Sequence, residues 1–372
     1  MLEIQKAMRI GVDGSVLHQK YESGQKRYLV NLLDALSKID SSNDYYIYSH
    51  TSKGIPKKEN FKFIKLPTWL PLCKRQLVIP ILSYKNKIDI FHFPDTWGSV
   101  FPPCKRVVIT YHDMSPKSSY PAWNRSLKYY FMGLLNRIIT KSTAKYASKI
   151  IFVSSSVNQE YQRLYGSSKK LITIKEGLSS FFTDHNQKRK PFFIAFADFS
   201  PRKNIERVLF AYRLFLEKLV TNHKFKLIIV TSTNYPKKAV MKIVEKYKIT
   251  KSVKIRTNIS DTSLSNMFNQ AAGLIYTSLY EGFGLPILES FACGCPVITS
   301  NYGATKEVSG GAALLVDPYS VKEIAEAINR IATSDVLKGK LKESGFERIQ
   351  NFSWERTARK TLRVYKKIYE NK

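Results

Sequence analysis

The sequence predicts an α/β protein built from two Rossmann-like halves. Two series of short apolar segments, rich in β-branched and aromatic residues, alternate with longer segments whose apolar residues recur at helical spacing. This alternation is typical of parallel sheets covered by helices. The chain of 372 residues is long enough for two domains of ordinary size, and a polar, charged segment at 179–190 separates the two series as an expected linker.

The first half opens as a strand, a polar loop and a helix. Arg9–Asp13 is a short apolar strand, residues 14–25 are polar, and residues 27–36 carry apolar side chains at helical spacing. Further strands are predicted at 45–48, 63–66, 88–92, 107–111, 149–153 and 171–174. The opening loop lacks the fingerprint G-x-G-x-x-G, so a dinucleotide cofactor is not predicted.

The second half repeats the alternation from residue 192 onward. Its strands are predicted at 192–196, 226–230, 253–256, 273–277 and 296–299. Phe352-Ser-Trp354 begins a C-terminal helix. We therefore place one domain at 1–180 and the other at 181–351.

The composition is that of a folded protein with an excess of positive charge. Hydrophobic residues make up 44% of the chain, which is ordinary for a globular protein and argues against disorder. No run of 18 apolar residues is present and the N-terminus lacks a signal-peptide pattern, so we expect cytosolic residence. The formal charge of +31 predicts an anionic partner, either nucleic acid or anionic lipid. A lysine-rich coding bias is the competing explanation for part of it.

The cysteines do not indicate a disulfide framework or a metal site. Four cysteines are too few to staple a chain of this length. Cys293 and Cys295 form a C-x-C pair, but one pair supplies too few ligands for a metal ion. We interpret both as small core residues.

The most informative segment is Glu281-Gly-Phe-Gly-Leu-Pro-Ile-Leu-Glu289, which lies between two predicted strands. Pro286 suits the first position of a helix and Gly294 suits its end. The segment therefore predicts a loop that carries Glu281 and a short helix with Glu289 on its first turn. Free N–H groups at a helix start favour anionic or polyhydroxylated ligands, and two carboxylates can accept hydrogen bonds from hydroxyl groups.

This segment resembles the E-x7-E element of the retaining glycosyltransferases of family 4, which have the two-domain GT-B fold. The match continues over Phe283-Gly284-Leu285-Pro286, Ala292-Cys293-Gly294, Pro296-Val297, Gly303 and Glu307. The resemblance implies two Rossmann-like domains facing a cleft. The domain at 1–180 would bind the acceptor and the domain at 181–351 the nucleotide-sugar, with the C-terminal helix at 352–372 packed back on the first domain.

The resemblance places most of the donor site in the second half. Arg202 and Lys203, which follow the first strand of that half, would bind the diphosphate of the donor. Glu281 would bind the sugar hydroxyls and Glu289 the ribose. The backbone amides beside the sugar would be those of Gly282, Phe283, Gly284 and Leu285. The nucleotide base is expected near residues 256–259.

Two further candidates lie in the first half. Ser23-Gly24 followed by Arg27-Tyr28 looks like the glycine-loop segment of this group, so Gly24 is a candidate donor-binding residue. His112 of the His112-Asp113 pair would donate a hydrogen bond to the transferring sugar or stabilise charge as the glycosidic bond breaks. The chain departs from the family at Ala197-Asp198, where a glycine is usual. Asp198 would disfavour a diphosphate unless it points away or pairs with a cation.

The predicted activity is transfer of a sugar from a nucleotide-diphospho-sugar to an acceptor hydroxyl with retention of configuration. Two cations and helix amides can stabilise the leaving group and no D-x-D pair is present, so we expect no metal and no cofactor. The expected acceptor is a glycan, with a lipid-linked glycan of surface polysaccharide synthesis as the first candidate.

Three alternatives remain at this point. A glycoside hydrolase also uses two carboxylates, but it has no need for the paired cations. A sugar-nucleotide epimerase or a phosphorylase of similar fold would share the donor site. A nucleic-acid-binding protein is suggested by the charge alone, and no recognition motif of that class is present.

Residues 122–148 mix aromatic and basic side chains in the manner of helices that lie on anionic membranes. The residues in this pattern are Trp123, Arg125, Lys128, Tyr129, Tyr130, Phe131, Leu134, Leu135, Arg137 and Lys141. Trp69-Leu-Pro-Leu72 with Lys74-Arg75 is a second candidate. An ordinary domain helix is an equal alternative, but the net charge favours a peripheral enzyme on the inner face of the membrane.

Overall fold

The chain forms two compact units in the computed structural model, which describes residues 7–19, 23–67, 74–96, 98–114, 138–198, 200–219, 225–231 and 234–371. Unit 1 comprises Met1–Gly177 with Trp354–Lys372, and unit 2 comprises Leu178–Ser353. Each unit contains one parallel sheet with helices packed on it. The predicted α/β fold with two Rossmann-like domains is confirmed.

Unit 1 contains a seven-stranded sheet. Its strands are β1 (Arg9–Asp13), β2 (Asp44–Ser49), β3 (Phe61–Lys65), β4 (Ile90–Phe93), β5 (Arg106–Tyr111), β6 (Lys149–Phe152) and β7 (Leu171–Thr173), and its helices include α1 (Gly24–Ile39), α2 (Ile79–Lys85) and α3 (Ser155–Tyr165). The strand order is β3-β2-β1-β4-β5-β6-β7, with every pair parallel. Central strands such as β4 are buried throughout, as parallel strands covered on both faces must be.

Unit 2 contains a six-stranded sheet. Its strands are β8 (Lys190–Ala197), β9 (Lys226–Thr231), β10 (Val253–Thr257), β11 (Ala271–Tyr276), β12 (Val297–Ser300) and β13 (Leu314–Val316). Its helices are α4 (Ile205–Lys218), α5 (Asn234–Lys246), α6 (Asp261–Gln270), α7 (Leu285–Ala292), α8 (Gly303–Ser309), α9 (Val321–Thr333) and α10 (Asp335–Ile349). The strand order is β10-β9-β8-β11-β12-β13, again parallel throughout.

Each sheet has one point at which the strand order reverses. The chain leaves β1 for β2 on one side and returns to β4 on the other, and in unit 2 the same reversal separates β8 from β11. The loops after these strands diverge and leave a crevice at the carboxyl edge of the sheet, where ligands of open α/β sheets bind. The topology therefore points to the ends of β8 and β11 as a ligand site in unit 2.

The polar segment at 179–190 is a fixed part of unit 2. The guanidinium of Arg189 donates to the carbonyl oxygens of Phe268 at 2.5 Å and Cys293 at 2.8 Å. The side-chain oxygen of Asn269 accepts the His185 N–H at 2.6 Å. These bonds hold the segment against unit 2, where it leads directly into β8. The segment predicted as a linker is therefore part of unit 2.

The C-terminal helix α11 (Trp354–Glu370) packs against α1 within unit 1. Tyr365 is fully buried, and its hydroxyl lies 2.6 Å from Nδ1 of His92 on β4. Thr357 donates to the Lys175 carbonyl at 2.7 Å. The last helix of the chain thus completes the core of the first unit.

Most of the predicted membrane segments lie outside the described residues. These are 122–137 of the first segment, which include Trp123, Arg125, Lys128, Tyr129, Tyr130, Phe131, Leu134, Leu135 and Arg137, and 69–73 of the second. Residues 138–146, which include Lys141, are helical. Within the described ranges, no helix combines the length and the apolar character needed to span a bilayer.

Arg75 does not serve as a membrane-facing cation. Its guanidinium lies 2.6 Å from Asp13 at the end of β1 and 2.7 Å from Asp95 in the loop after β4. Two buried carboxylates at the carboxyl edge of the sheet require such a partner, since an unpaired buried charge is costly. The prediction that Arg75 contributes to a membrane surface is therefore wrong.

Candidate functional site

Two loops meet at the reversal point of unit 2. The chain after β8 forms a short 3-10 turn, Pro201–Lys203, and the chain after β11 runs through Glu281 to α7. The Leu279 N–H donates to the Arg202 carbonyl at 2.7 Å and joins the two loops. This junction brings together three residues predicted from the sequence: Arg202, Lys203 and Glu281.

Glu281 is a buried carboxylate held by both cations. Lys203 Nζ lies 2.7 Å from its Oε1, and Arg202 Nη1 lies 3.0 Å from its Oε2. Burial opposes ionisation of Glu281, but the charges of Lys203 and Arg202 outweigh it and lower the pKa of this group. Glu281 therefore acts as a hydrogen-bond acceptor with a full negative charge.

Lys203 has a second partner that the sequence did not suggest. Its ammonium donates to the Tyr276 hydroxyl at 3.0 Å and lies 4.8 Å from the centre of the Tyr276 ring. Burial, together with the charge of Glu281, raises the pKa of Tyr276 well above its usual value, so the phenol keeps its proton. An ammonium has three N–H donors. Glu281 and Tyr276 take two, and no acceptor in the described part of the chain takes the third.

Asp198 is paired with a cation, which is one of the two arrangements that the sequence left open. Its Oδ2 lies 3.4 Å from Nη2 of Arg202, and its Oδ1 accepts the Ser200 N–H at 2.6 Å. Asp198 and Glu281 together balance the formal charges of Arg202 and Lys203. An anion that binds here must therefore compete with carboxylates for these cations.

Asn204 fixes the turn that presents the two cations. Its backbone is left-handed (φ 59°), a conformation that Asn tolerates better than most residues. Its side-chain amide donates to the carbonyl oxygens of Thr277 at 3.0 Å and Pro318 at 2.7 Å. The loop after β8 is thereby tied to the loop after β11, and sequence reasoning missed this residue.

The segment from Gly282 to Leu285 leads into α7. Gly284 has φ +116°, which favours glycine, and it forms the N-cap of the helix without a side-chain acceptor. Because α7 begins at Leu285, Glu289 is its fifth residue and lies in the second turn. The sequence had predicted Glu289 on the first turn. Glu289 is only 3% exposed. Of the two carboxylates, Glu281 is the one whose contacts with Arg202 and Lys203 are described above.

Other residues that were singled out from the sequence also lie in unit 2. Gly294 ends α7 with φ +63°, and Cys293 and Cys295 are buried with free thiols, as predicted. Residues 256–259 lie at the carboxyl end of β10, on the same edge of the sheet as the cations. Within the described ranges, no three His, Cys, Asp or Glu side chains are grouped as metal ligands.

His112 follows β5 in unit 1 and is held from two sides. Its Nδ1 lies 3.1 Å from Oε1 of Glu176, and its Nε2 lies 2.9 Å from the Pro94 carbonyl oxygen. Burial lowers the pKa of His112, but the hydrogen bond and charge of Glu176 outweigh it, and the pKa is raised. Sequence reasoning missed Glu176. Glu176 comes just after β7 and His112 just after β5, at the same edge of a parallel sheet. This position could have indicated that the two residues lie close together.

Gly24 is the first residue of α1 in unit 1. The Ser23 side chain caps this helix by accepting the Lys26 N–H at 3.2 Å. A Cβ added to Gly24 would meet no atom within 4 Å. The packing of unit 1 therefore does not require a glycine at this exposed position.

Two family profiles match the chain. Glycosyltransferase Family 4 matches residues 23–179, and Glycosyl transferases group 1 matches residues 180–348. The O-antigen chain mannosyltransferase B of Escherichia coli is 28% identical over 70% of this chain and 70% of that protein. The serotype-specific mannosyltransferase WbdA of Escherichia coli is 25% identical over 92% of this chain. The chain spans only 37% of the length of that relative.

Solved structures share the fold at low sequence identity. Sucrose-phosphate synthase from Thermosynechococcus elongatus superposes with a TM-score of 0.78 at 20% identity, covering 98% of this chain and 100% of that one. Anabaena HepE in complex with UDP-glucose superposes with a TM-score of 0.73 at 15% identity, covering 97% and 100%. These likenesses confirm the predicted GT-B fold.

Proposed function

Because the chain belongs to the group 1 glycosyl transferases of glycosyltransferase family 4, we propose that it transfers a sugar from a nucleotide-diphospho-sugar to an acceptor hydroxyl. The contact of Lys203 and Arg202 with Glu281, at the reversal point of the unit 2 sheet, is the observation that carries this proposal. It combines cations for a diphosphate with an ionised carboxylate for sugar hydroxyls. A family assignment of this kind does not favour the nucleic-acid alternative, which rests on charge alone.

The donor would bind across this cluster. The third N–H of Lys203 and the guanidinium of Arg202 would bind oxygens of the diphosphate. A carboxylate offers about four acceptor sites. Lys203, Arg202, Ser278 and Tyr276 all bond to Glu281, so a sugar hydroxyl would replace or share one of these contacts. The amides from Gly282 to Leu285 would lie beside the sugar, and Glu289 would bind the ribose.

The chemical step would depend on stabilisation of the leaving group. As the bond between the anomeric carbon and the phosphate oxygen breaks, negative charge grows on the diphosphate, and fixed cations stabilise that charge most strongly in the transition state. Among the described residues of unit 2, the contacts above place no side chain as a nucleophile. We favour attack of the acceptor hydroxyl from the face that the leaving phosphate occupies, with the phosphate taking the proton. This route retains the configuration.

The acceptor is proposed to be a glycan, with a lipid-linked glycan in surface polysaccharide synthesis as the first candidate. Two relatives are named as mannosyltransferases, one of the O-antigen chain, so mannosyl donors head the panel to test. The experiment measures release of free nucleoside diphosphate from each donor, with and without glycan acceptors, in the presence of EDTA. Acceptor-dependent release that EDTA does not abolish supports a metal-independent transferase. Turnover that needs no acceptor would indicate an epimerase, and turnover that needs phosphate would indicate a phosphorylase.

The variant Gly24→Ala tests whether Gly24 contacts the donor. Alanine at a helical position that has room for its Cβ should stabilise unit 1 by about 0.4–1 kcal/mol. If the α1 start approaches the donor, the same methyl group should raise the KM for the donor several-fold. Thermal unfolding measures the expected gain in stability, and donor kinetics measure the expected rise in KM. An unchanged KM would remove Gly24 from the donor site.

We also propose that unit 1 binds an anionic membrane surface. A surface depression of about 470 Å³ is lined by Lys105, Arg106, Ser148, Lys149, Lys169, Lys170, Ile368 and Asn371. None of these lining residues is acidic. Arg106 is committed to the Ile368 carbonyl at 2.8 Å, but Lys105 and Lys169 are exposed. The cluster supports peripheral association with the inner face of the membrane.

Vesicle co-sedimentation tests this surface. Replacing Lys105 and Lys169 with glutamine should weaken binding to anionic vesicles about 30-fold, because each basic residue near the surface contributes ~1 kcal/mol. Lys322 and Lys340, two exposed lysines of unit 2, give the matched control and should have little effect when replaced. Raising the salt concentration should also weaken binding. Equal sedimentation with neutral and anionic vesicles would contradict the proposal.

A further inference from the structure

The two nitrogens of the His112 ring both face groups that accept hydrogen bonds. Pro94 offers only a carbonyl oxygen, at 2.9 Å from Nε2, and an ionised Glu176 carboxylate, at 3.1 Å from Nδ1, likewise only accepts. A neutral imidazole carries one N–H and would leave one of these contacts unmade. Both contacts are satisfied when both nitrogens carry protons. The geometry therefore fits an imidazolium.

A second histidine nearby shows the opposite arrangement. His92 on β4 lies 2.6 Å from the Tyr365 hydroxyl and 2.8 Å from Oγ1 of Thr110. Hydroxyl groups can donate or accept, so a neutral ring satisfies both contacts. Burial and the positive charge of His112 lower the pKa of His92 to about 3. The two buried histidines of unit 1 are thus placed for different charge states.

The remaining groups around His112 agree with a positive ring. Tyr28 of α1 presents a neutral ring at a centroid distance of 4.7 Å and an angle of 84°. Asp95, after β4, also contributes negative charge. Arg75 already pairs with Asp95 at 2.7 Å. Glu176, from the segment after β7, is therefore the acid in direct contact with the imidazole.

We propose that Glu176 is a positioning residue that holds His112 as an imidazolium, a fixed positive charge for the sugar-transfer reaction of the proposed function. With Nε2–H on Pro94 and Nδ1–H on Glu176, both ring donors are occupied. His112 would therefore act mainly through its charge on an anionic leaving group, and a substrate oxygen would have to share the Nε2–H with Pro94. Of the two roles that the family resemblance left open for His112, this favours stabilisation of charge over a hydrogen bond to the transferring sugar.

The charge state is tested without substrate by NMR of protein labelled with ¹³C and ¹⁵N at histidine. The chain has six histidines, and a His112→Gln variant identifies the relevant signal. At pH 7 both ring nitrogens of His112 should be protonated in the wild type, whereas those of His92 should not. In Glu176→Gln, a near-isosteric change, His112 should titrate at lower pH. A neutral His112 in the wild type at pH 7, or an unmoved titration in the variant, would overturn the proposal.

The sign of the pH effect on activity follows from the raised pKa of His112. The charge is present below that pKa and is lost as pH rises through it. Activity of the wild type should therefore fall on the alkaline side, and in Glu176→Gln this fall should begin at lower pH. The kcat/KM of the variant relative to the wild type should therefore fall as pH rises, and it should return towards the wild-type value at acidic pH, where both proteins carry the charge.

Two further variants separate positioning from folding. Glu176→Asp keeps the charge and should restore part of the alkaline activity. Asp34→Asn removes an exposed acid of unit 1 that pairs with Lys38 at 2.7 Å, and it should leave the pH profile unchanged. If no donor is turned over, the proposed function fails while the NMR titration still decides the charge state of His112. A protonated His112 combined with an identical pH profile in Glu176→Gln would reject its role in the reaction.

Discussion

Replacing Lys203 with alanine is expected to weaken binding of the nucleoside diphosphate and of the donor by about 10- to 150-fold, because a charge-assisted hydrogen bond is worth roughly 1.5–3 kcal/mol. Lys203 offers the diphosphate the one ammonium N–H that Glu281 and Tyr276 leave over in the described part of the chain. Turnover should fall as well, because the contact strengthens as charge develops on the leaving group. Isothermal titration calorimetry and steady-state kinetics measure the two effects.

Lys246→Ala is the matched control for this change. Lys246 lies in unit 2 and pairs with Glu206 at 3.2 Å, but both side chains are exposed. Its loss removes the same charge from the unit without touching the cluster around Glu281. Equal effects of Lys203→Ala and Lys246→Ala would show that Lys203 acts only through the net charge of the unit and not through a direct contact with the diphosphate. Unchanged affinity in Lys203→Ala would remove it from the donor site.

Glu281→Gln is expected to change turnover and diphosphate binding in opposite directions. The rate should fall by about 10²–10³, a loss typical of a preorganised group that acts on the reacting centre. Affinity for the free nucleoside diphosphate should rise by about three- to tenfold, because charge-assisted contacts that hold Lys203 and Arg202 are weakened. Calorimetry with the diphosphate alone and kinetics with the complete donor separate the two effects.

The control for this carboxylate is Glu206→Gln, which removes an exposed acid paired with a lysine in the same unit. It should leave both diphosphate affinity and turnover within error of the wild type. A Glu281→Gln variant that loses diphosphate affinity together with rate would show that the carboxylate supports the cations instead of competing with the phosphate. A variant with full activity would exclude contact between Glu281 and the transferred sugar.

The strands were predictable because a parallel sheet buries both faces of its strands. Segments such as β1 and β5 therefore appear as apolar runs that stand out from polar loops. The strand β13 was missed because its three residues follow Ala312-Ala313 in one short apolar run, and periodicity alone does not distinguish such a run from a buried helical segment. The 3-10 turn at Ser15–His18 was also missed, since four residues, of which Val16 and Leu17 are buried, are too few to show a helical period.

The candidate site was predictable only in part. Arg202, Lys203 and Glu281 follow strands that meet at the reversal point of the sheet, so their proximity follows from parallel topology. Tyr276 could not be foreseen, because a tyrosine at the end of a buried strand has the pattern of a core residue. The pairing of His112 with Glu176 joins residues 64 positions apart. Sequence spacing does not specify a contact of that kind, which depends on the order of β5, β6 and β7.

The central claim is that the cluster of Arg202, Lys203 and Glu281 binds a nucleotide-diphospho-sugar. It is tested most directly by the thermal unfolding of the wild type and Lys203→Ala with a panel of nucleoside diphosphates, their sugar conjugates, nucleosides and free sugars. A ligand at 100 times its Kd stabilises the folded state by ~2.7 kcal/mol. We expect at least one diphosphate and its sugar conjugate to raise the Tm of the wild type, with a smaller shift in Lys203→Ala and little effect of the nucleoside or sugar alone. A panel in which no diphosphate raises the Tm, or raises it equally in both proteins, would contradict the account.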